Sequence, residues 1–131
     1  MTTVAILKYC VVVSDGWTTT VTFDDGAVCT AVPHDTPNYH VIAHRCGYGS
    51  DIAAYCFEHE VAHALVAEWF WGTPSPVLRG VATKNLLSGK EAAFEELMAQ
   101  TLQRYHRAHE WPIIGGVEWG DLRARFKEMV G

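Results

Sequence analysis

The sequence predicts an α+β fold, with an N-terminal antiparallel sheet, a pair of long helices and a short C-terminal helix. Three observations carry this. The first fifty residues alternate β-branched, apolar segments with Gly- and Asp-containing turns. The composition then changes at Ser50-Asp51 to runs rich in Ala, Leu and Glu. Finally, 131 residues with 49% hydrophobic content and no internal repeat or low-complexity segment fit a single domain, 1–131, that can bury a core.

Taken in order, residues 3–13 are apolar and β-branched and predict a strand, closed by the turn signal Ser14-Asp15-Gly16. Residues 17–23 alternate, placing Trp17, Thr19, Val21 and Phe23 on one side. Asp24-Asp25-Gly26 then turns the chain into 27–32, a predicted hairpin. Pro33 and Pro37 bracket an expected loop, and 39–46 (YHVIAHRC) predicts a further strand before the Gly47–Gly49 turn. Ser50-Asp51 is an N-cap pair for a helix from Ile52 to about Trp71, whose stripe comprises Ile52, Cys56, His59, His63, Val66 and Phe70. Gly72, Pro74 and Pro76 end it and open a linker over 72–89. A second helix is predicted over 90–109, with Phe94, Leu97, Met98, Thr101 and Tyr105 as its apolar face. A short amphipathic helix follows over 119–130.

Charge and composition narrow the function. A net charge of −5 and a pI near 5.7 argue against a nucleic-acid partner, because phosphate binding needs a basic surface. No apolar run approaches a membrane span, and the opening MTTVAILKYCVVV lacks the basic region and cleavage site of a signal peptide. A soluble protein of the cytoplasm, with no membrane partner, is the expectation. Cys10, Cys29, Cys46 and Cys56 form no CxxC pair and are expected as reduced, buried thiols.

The residues that carry chemistry are His59-Glu60-Val61-Ala62-His63, the pattern H-E-x-x-H. On a helix, side chains four apart stack one turn above each other, so both imidazoles can reach one Zn2+. Glu60 is turned about 100° from His59. It cannot join the ligands, but it can act as general base on a water in the metal's open position. The bland reading, two histidines and a glutamate packed in a core helix, leaves each buried polar group needing a partner at about 1–3 kcal/mol apiece. A metal supplies those partners together. A third protein ligand is then required, and 91–100 (EAAFEELMAQ) offers Glu91, Glu95 and Glu96.

At this point the chain resembles the zincin metallopeptidases, and within them the glutamate-ligand branch, the gluzincins. The resemblance covers residues 51–109. It implies a Glu ligand on the second helix, followed by a small residue three positions on and an Asp or Asn four positions on. Glu96, with Ala99 and Gln100 at those offsets, is the best match; Glu95 is second and Glu91 third. Gln100 departs from the pattern: it can accept a hydrogen bond from a ligand histidine but, having no charge, would support the imidazole less strongly than a carboxylate. The metzincin extension is absent, since Val66 stands at its Gly and no His stands three positions further on.

The resemblance implies a zinc-dependent hydrolase, a metallopeptidase acting on a peptide or protein substrate, in a minimal form familiar from phage and prophage, hence in a host cytoplasm. It also implies an edge strand that pairs with substrate, for which 39–46 is the candidate, and a His or Tyr that stabilises the transition state, for which Tyr105, His106 and His109 qualify by type. The alternative is a binding or structural protein that keeps the scaffold, with a structural metal or none; Cys56 as a fourth, closing ligand would favour it.

Overall fold

The computed structural model describes residues 2–109; the helix expected over 119–130 lies outside the described residues. The architecture is α+β: a four-stranded antiparallel meander followed by helices. The strands are β1 (Thr3–Ile6), β2 (Cys10–Ser14), β3 (Thr19–Phe23) and β4 (Val28–Ala31), adjacent in chain order. Their register sets Ala5, Val12, Val21 and Cys29 side by side across the sheet. All four are buried, so one face of the sheet forms a continuous apolar floor.

The single strand expected over 3–13 is in fact a hairpin. No Gly, Pro or Asn marks its turn at 7–9. Tertiary contacts hold it instead: Lys8 N donates to Glu68 Oε1 at 2.6 Å, and the Tyr9 hydroxyl donates to the Gly72 carbonyl at 2.9 Å. The next turn follows the sequence, with Asp15 Oδ1 accepting from Trp17 N and Thr18 N.

Residues 39–46 are not a strand. They form most of helix α1 (Pro37–Arg45), capped by Thr36, whose Oγ1 accepts from Tyr39 N at 3.2 Å. Pro37 sits in the first turn, where its missing N–H costs nothing. Tyr39, Ile42, Ala43 and Cys46 recur at helical spacing and pack with Tyr48, Ile52 and Tyr55. The proposed substrate-pairing edge at 39–46 therefore does not exist.

Helix α2 (Ile52–Val66) starts at the predicted cap, with Asp51 Oδ1 accepting from Ala54 N. It lies across the sheet, and Phe57, Val61, Ala64 and Leu65 join the floor residues in one core. Its continuation, Ala67–Trp71, is a π-helical turn closed by Gly72 at φ 65°. The wider turn takes Phe70 off the histidine stripe, leaving it 37% exposed.

The expected linker over 72–89 contains helix α3 (Pro76–Thr83). Ser75 caps it through Leu78 N, and Pro76 opens it. Helix α4 (Gly89–His109) has the predicted extent but turns a different face inward. Phe94 and Leu97 are 45% and 62% exposed, while Glu95, Met98, Ala99, Leu102, Gln103 and His106 are buried. The reason is polar: this face is the one whose Glu, Gln and His side chains find partners on α2.

The four cysteines are free and buried, as expected. No described helix is long and apolar enough to cross a membrane.

Candidate metal centre

The site lies where α2 and α4 pack face to face. Ala99 and Ala62, both fully buried, belong to the core that joins the two helices. From α2, the His59 and His63 rings approach with their Nε2 atoms 3.2 Å apart. From α4, Glu96 reaches both: Oε1 is 2.8 Å from His59 Nε2, and Oε2 is 2.9 Å from His63 Nε2. One ligand atom from each of the three lies within 4.8 Å of the other two.

The far side of each imidazole is also committed. His63 Nδ1 lies 2.6 Å from Glu95 Oε2, and His59 Nδ1 lies 2.6 Å from Gln103 Oε1. With a proton on each Nδ1, both Nε2 atoms present bare lone pairs toward each other and toward a carboxylate. Such a set of acceptors holds together only around a cation or added protons. Tetrahedral zinc at its usual bond lengths spaces two nitrogen ligands by about 3.3 Å. The donor set and spacing therefore fit zinc.

Among the expected ligands the structure brings together His59, His63 and Glu96. Glu91 is exposed on the first turn of α4 and takes no part. Glu95 is fully buried and is taken up elsewhere: besides His63 it accepts from Ser75 Oγ at 2.8 Å and from Trp71 Nε1 at 2.9 Å. Gln100 does not support a histidine; its Nε2 donates to Glu96 Oε1 at 3.5 Å. Cys56, one turn before His59, is buried against the Thr19 and Tyr39 side chains and is not in the ligand group.

Sequence reasoning missed the support of the histidines by Glu95 and Gln103. A signal was present, since Glu95, Gln103 and His106 recur on a face that also carries Ala99 and Leu102. A helix buries such a mixed face only when each polar group has a partner.

Glu60 is buried beside the ligands, and its Oε2 has no hydrogen-bond partner among the described residues. Burial raises its pKa, opposed by the neighbouring His63 and His59. Tyr55 stacks on His59 with ring centroids 5.5 Å apart and 17° between planes. Of the expected transition-state groups, His106 is taken up by Glu58 at 3.1 Å, Tyr105 packs against the main core, and the side chain of His109 lies outside the described residues.

Without a metal, added protons would hold this set of acceptors together. Burial would strip His63 of its charge, but the bonds to Glu95 and Glu96 outweigh it and push its pKa from 6.5 up to about 10. Burial would likewise raise Glu96, but His59 and His63 outweigh it and hold its carboxyl well below the usual range. The His63 stabilisation is fully present below pH 6.5 and is lost as pH rises through about 10. Glu60, also raised, acts in the same direction. The Glu96 contribution is present above pH 4.5 and is lost as pH falls through its folded value. Metal-free protein is therefore expected to lose stability between neutral pH and pH 10, and a bound cation in place of those protons would remove that loss. Thermal melts with and without chelator across this range check the difference.

No family model matches the chain, and no curated protein or solved structure shows significant similarity to it.

Proposed function

We propose that the protein is a zinc-dependent hydrolase, a metallopeptidase in which His59, His63 and Glu96 hold the metal and Glu60 is the general base. One observation carries the reading: three ligand atoms converge beside a buried carboxylate whose Oε2 has no partner among the described residues. A core helix that merely tolerated its histidines would have no use for that orphaned oxygen, which is costly to bury. Zinc, when bound, supplies a Lewis acid that lowers the pKa of a water in its open position. Glu60 Oε2 takes a proton from the attacking water and delivers it to the leaving amine. The raised pKa of Glu60 suits it to hold that proton between the two steps. Gln100 and Tyr55 keep Glu96 and His59 in place.

Among the described residues no fourth side chain joins the ligand group, which supports a catalytic metal over a closed structural one. A peptide substrate is supported by β4, which among the described residues pairs on one side only, with β3. Its Cys29 lies close enough for the Glu60 charge to add to burial in raising the thiol pKa to about 11.

Metal analysis of purified protein is the test. About one zinc per chain is expected in the wild type, with sharp loss in His63→Ala and Glu96→Gln. Full zinc retention in Glu96→Gln, or its loss in Glu91→Gln, would overturn the ligand assignment. A screen of unstructured proteins and peptides then reads the hydrolase activity.

A further inference from the structure

We infer that Gln103 is a positioning residue that fixes which nitrogen of His59 faces the metal, through an amide orientation imposed by the backbone of α2. The inference rests on the reading of His59 as a ligand.

Gln103 is fully buried on α4, two turns beyond Glu96, and uses both ends of its amide. Its Oε1 lies 2.6 Å from His59 Nδ1. Its Nε2 lies 3.2 Å from the Tyr55 carbonyl oxygen and 3.2 Å from the Tyr48 hydroxyl. The carbonyl decides the matter. A backbone oxygen can only accept, so the group facing Tyr55 must be the amide NH2. The oxygen then faces His59, and an amide oxygen can only accept. His59 Nδ1 must therefore carry a proton, and in the neutral ring Nε2 then holds the lone pair, on the side of Glu96 and His63.

The surroundings remove the alternative orientation. A flipped amide would set its oxygen against the Tyr55 carbonyl oxygen, two acceptors 3.2 Å apart with no proton between them. Tyr48, which the flip would leave as the remaining donor, is held from its other side: its ring lies under the Arg107 guanidinium at 3.9 Å. Arg107 is itself paired with Glu58. The carbonyl belongs to Tyr55, one turn before His59 on the same helix, so the device also keeps Gln103 in register with the ligand it serves.

The two histidines are thereby supported unequally. His63 is backed by a buried carboxylate, His59 by a neutral amide. A second carboxylate at 103 would add negative charge beside Glu95, Glu96 and Glu60 and would face the Tyr55 carbonyl with nothing to donate. An amide is the group that accepts at one end and donates at the other.

The test is long-range ¹H–¹⁵N correlation of the imidazoles in zinc-loaded wild-type protein, together with zinc competition on variants. The expected spectrum has His59 with a proton on Nδ1 and metal on Nε2. The reverse arrangement, with zinc on Nδ1, overturns the inference whatever the variants do. Gln103→Met, which keeps length but removes both hydrogen-bonding ends, is expected to weaken zinc binding about 10–100-fold. It is also expected to lose the slowly exchanging Nδ1 proton. Wild-type affinity in Gln103→Met, or an unchanged Nδ1 signal in it, also overturns the inference. Tyr48→Phe, which leaves the Tyr55 carbonyl in place, is expected to stay within about threefold of wild type. A larger loss would move the orienting role to Tyr48. If wild-type protein binds no zinc, it is the ligand reading that fails, so the two failures are distinguishable.

Discussion

Glu60→Gln is expected to keep about one zinc per chain and a near-native fold while hydrolysis falls about 10²–10⁴-fold. The amide has the shape of the carboxylate but cannot take a proton from water. Because Glu60 is buried and its Oε2 has no hydrogen-bond partner among the described residues, removing its charge takes no acceptor from a described donor at that oxygen. It also removes the cost of burying an anion, so metal-free Glu60→Gln should be at least as stable as wild type. His59→Ala should behave in the opposite way, losing metal and stability together, since binding is coupled to folding. Chelator-titrated melts and activity on an unstructured substrate separate the two. Zinc-loaded Glu60→Gln that hydrolyses at the wild-type rate would overturn the general-base assignment, and zinc-loaded wild type that hydrolyses nothing would leave the metal with a structural role.

Glu95→Ala is expected to cost about 3–5 kcal/mol of stability in the metal-free protein, as breaking a buried charged pair does. Three donors would lose their acceptor at once: His63 Nδ1, Ser75 Oγ and Trp71 Nε1. Those donors come from α2, the cap of α3 and the π-helical turn, so the loss should be felt beyond the metal. Zinc affinity should fall about 10–100-fold, because His63 loses the carboxylate that orients it and raises its basicity. Glu91→Ala, on the exposed first turn of α4, is the control and should change stability by less than about 0.5 kcal/mol. Denaturant unfolding and zinc competition read both variants. If Glu95→Ala matches that control in both measurements, Glu95 has no supporting role.

Both helices that the sequence reading missed begin in the same way, Thr36-Pro37 and Ser75-Pro76. A proline punctuates a chain, but its sense depends on what precedes it. After Ser or Thr it can occupy the first helical turn, with the hydroxyl capping a later N–H. Read as a stop, Pro37 hid α1 and Pro76 hid α3. The hairpin at 7–9 left no such trace, because its turn is held by Glu68 and Gly72, some sixty residues away.

The sequence by itself determined the α+β order, the cap and start of α2, and the pairing of His59 and His63 on one side of a helix. These follow from local periodicity and from spacing, which a single element carries alone. It also ranked Glu96 above Glu95, through resemblance to a family. Only the tertiary structure decided what each of those glutamates and Gln103 touches. Neighbouring residues on a helix point about 100° apart, so a small rotation of α4 decides whether Glu95 or Glu96 faces the histidines' Nε2 atoms. That rotation is set by packing and by where buried polar groups find partners. The apolar residues Phe94 and Leu97 were left outside for that reason, while Glu95 and Gln103 went in. A buried hydrogen-bonded network outweighed the hydrophobic pattern because each unsatisfied member would cost about as much as burying one more side chain gains.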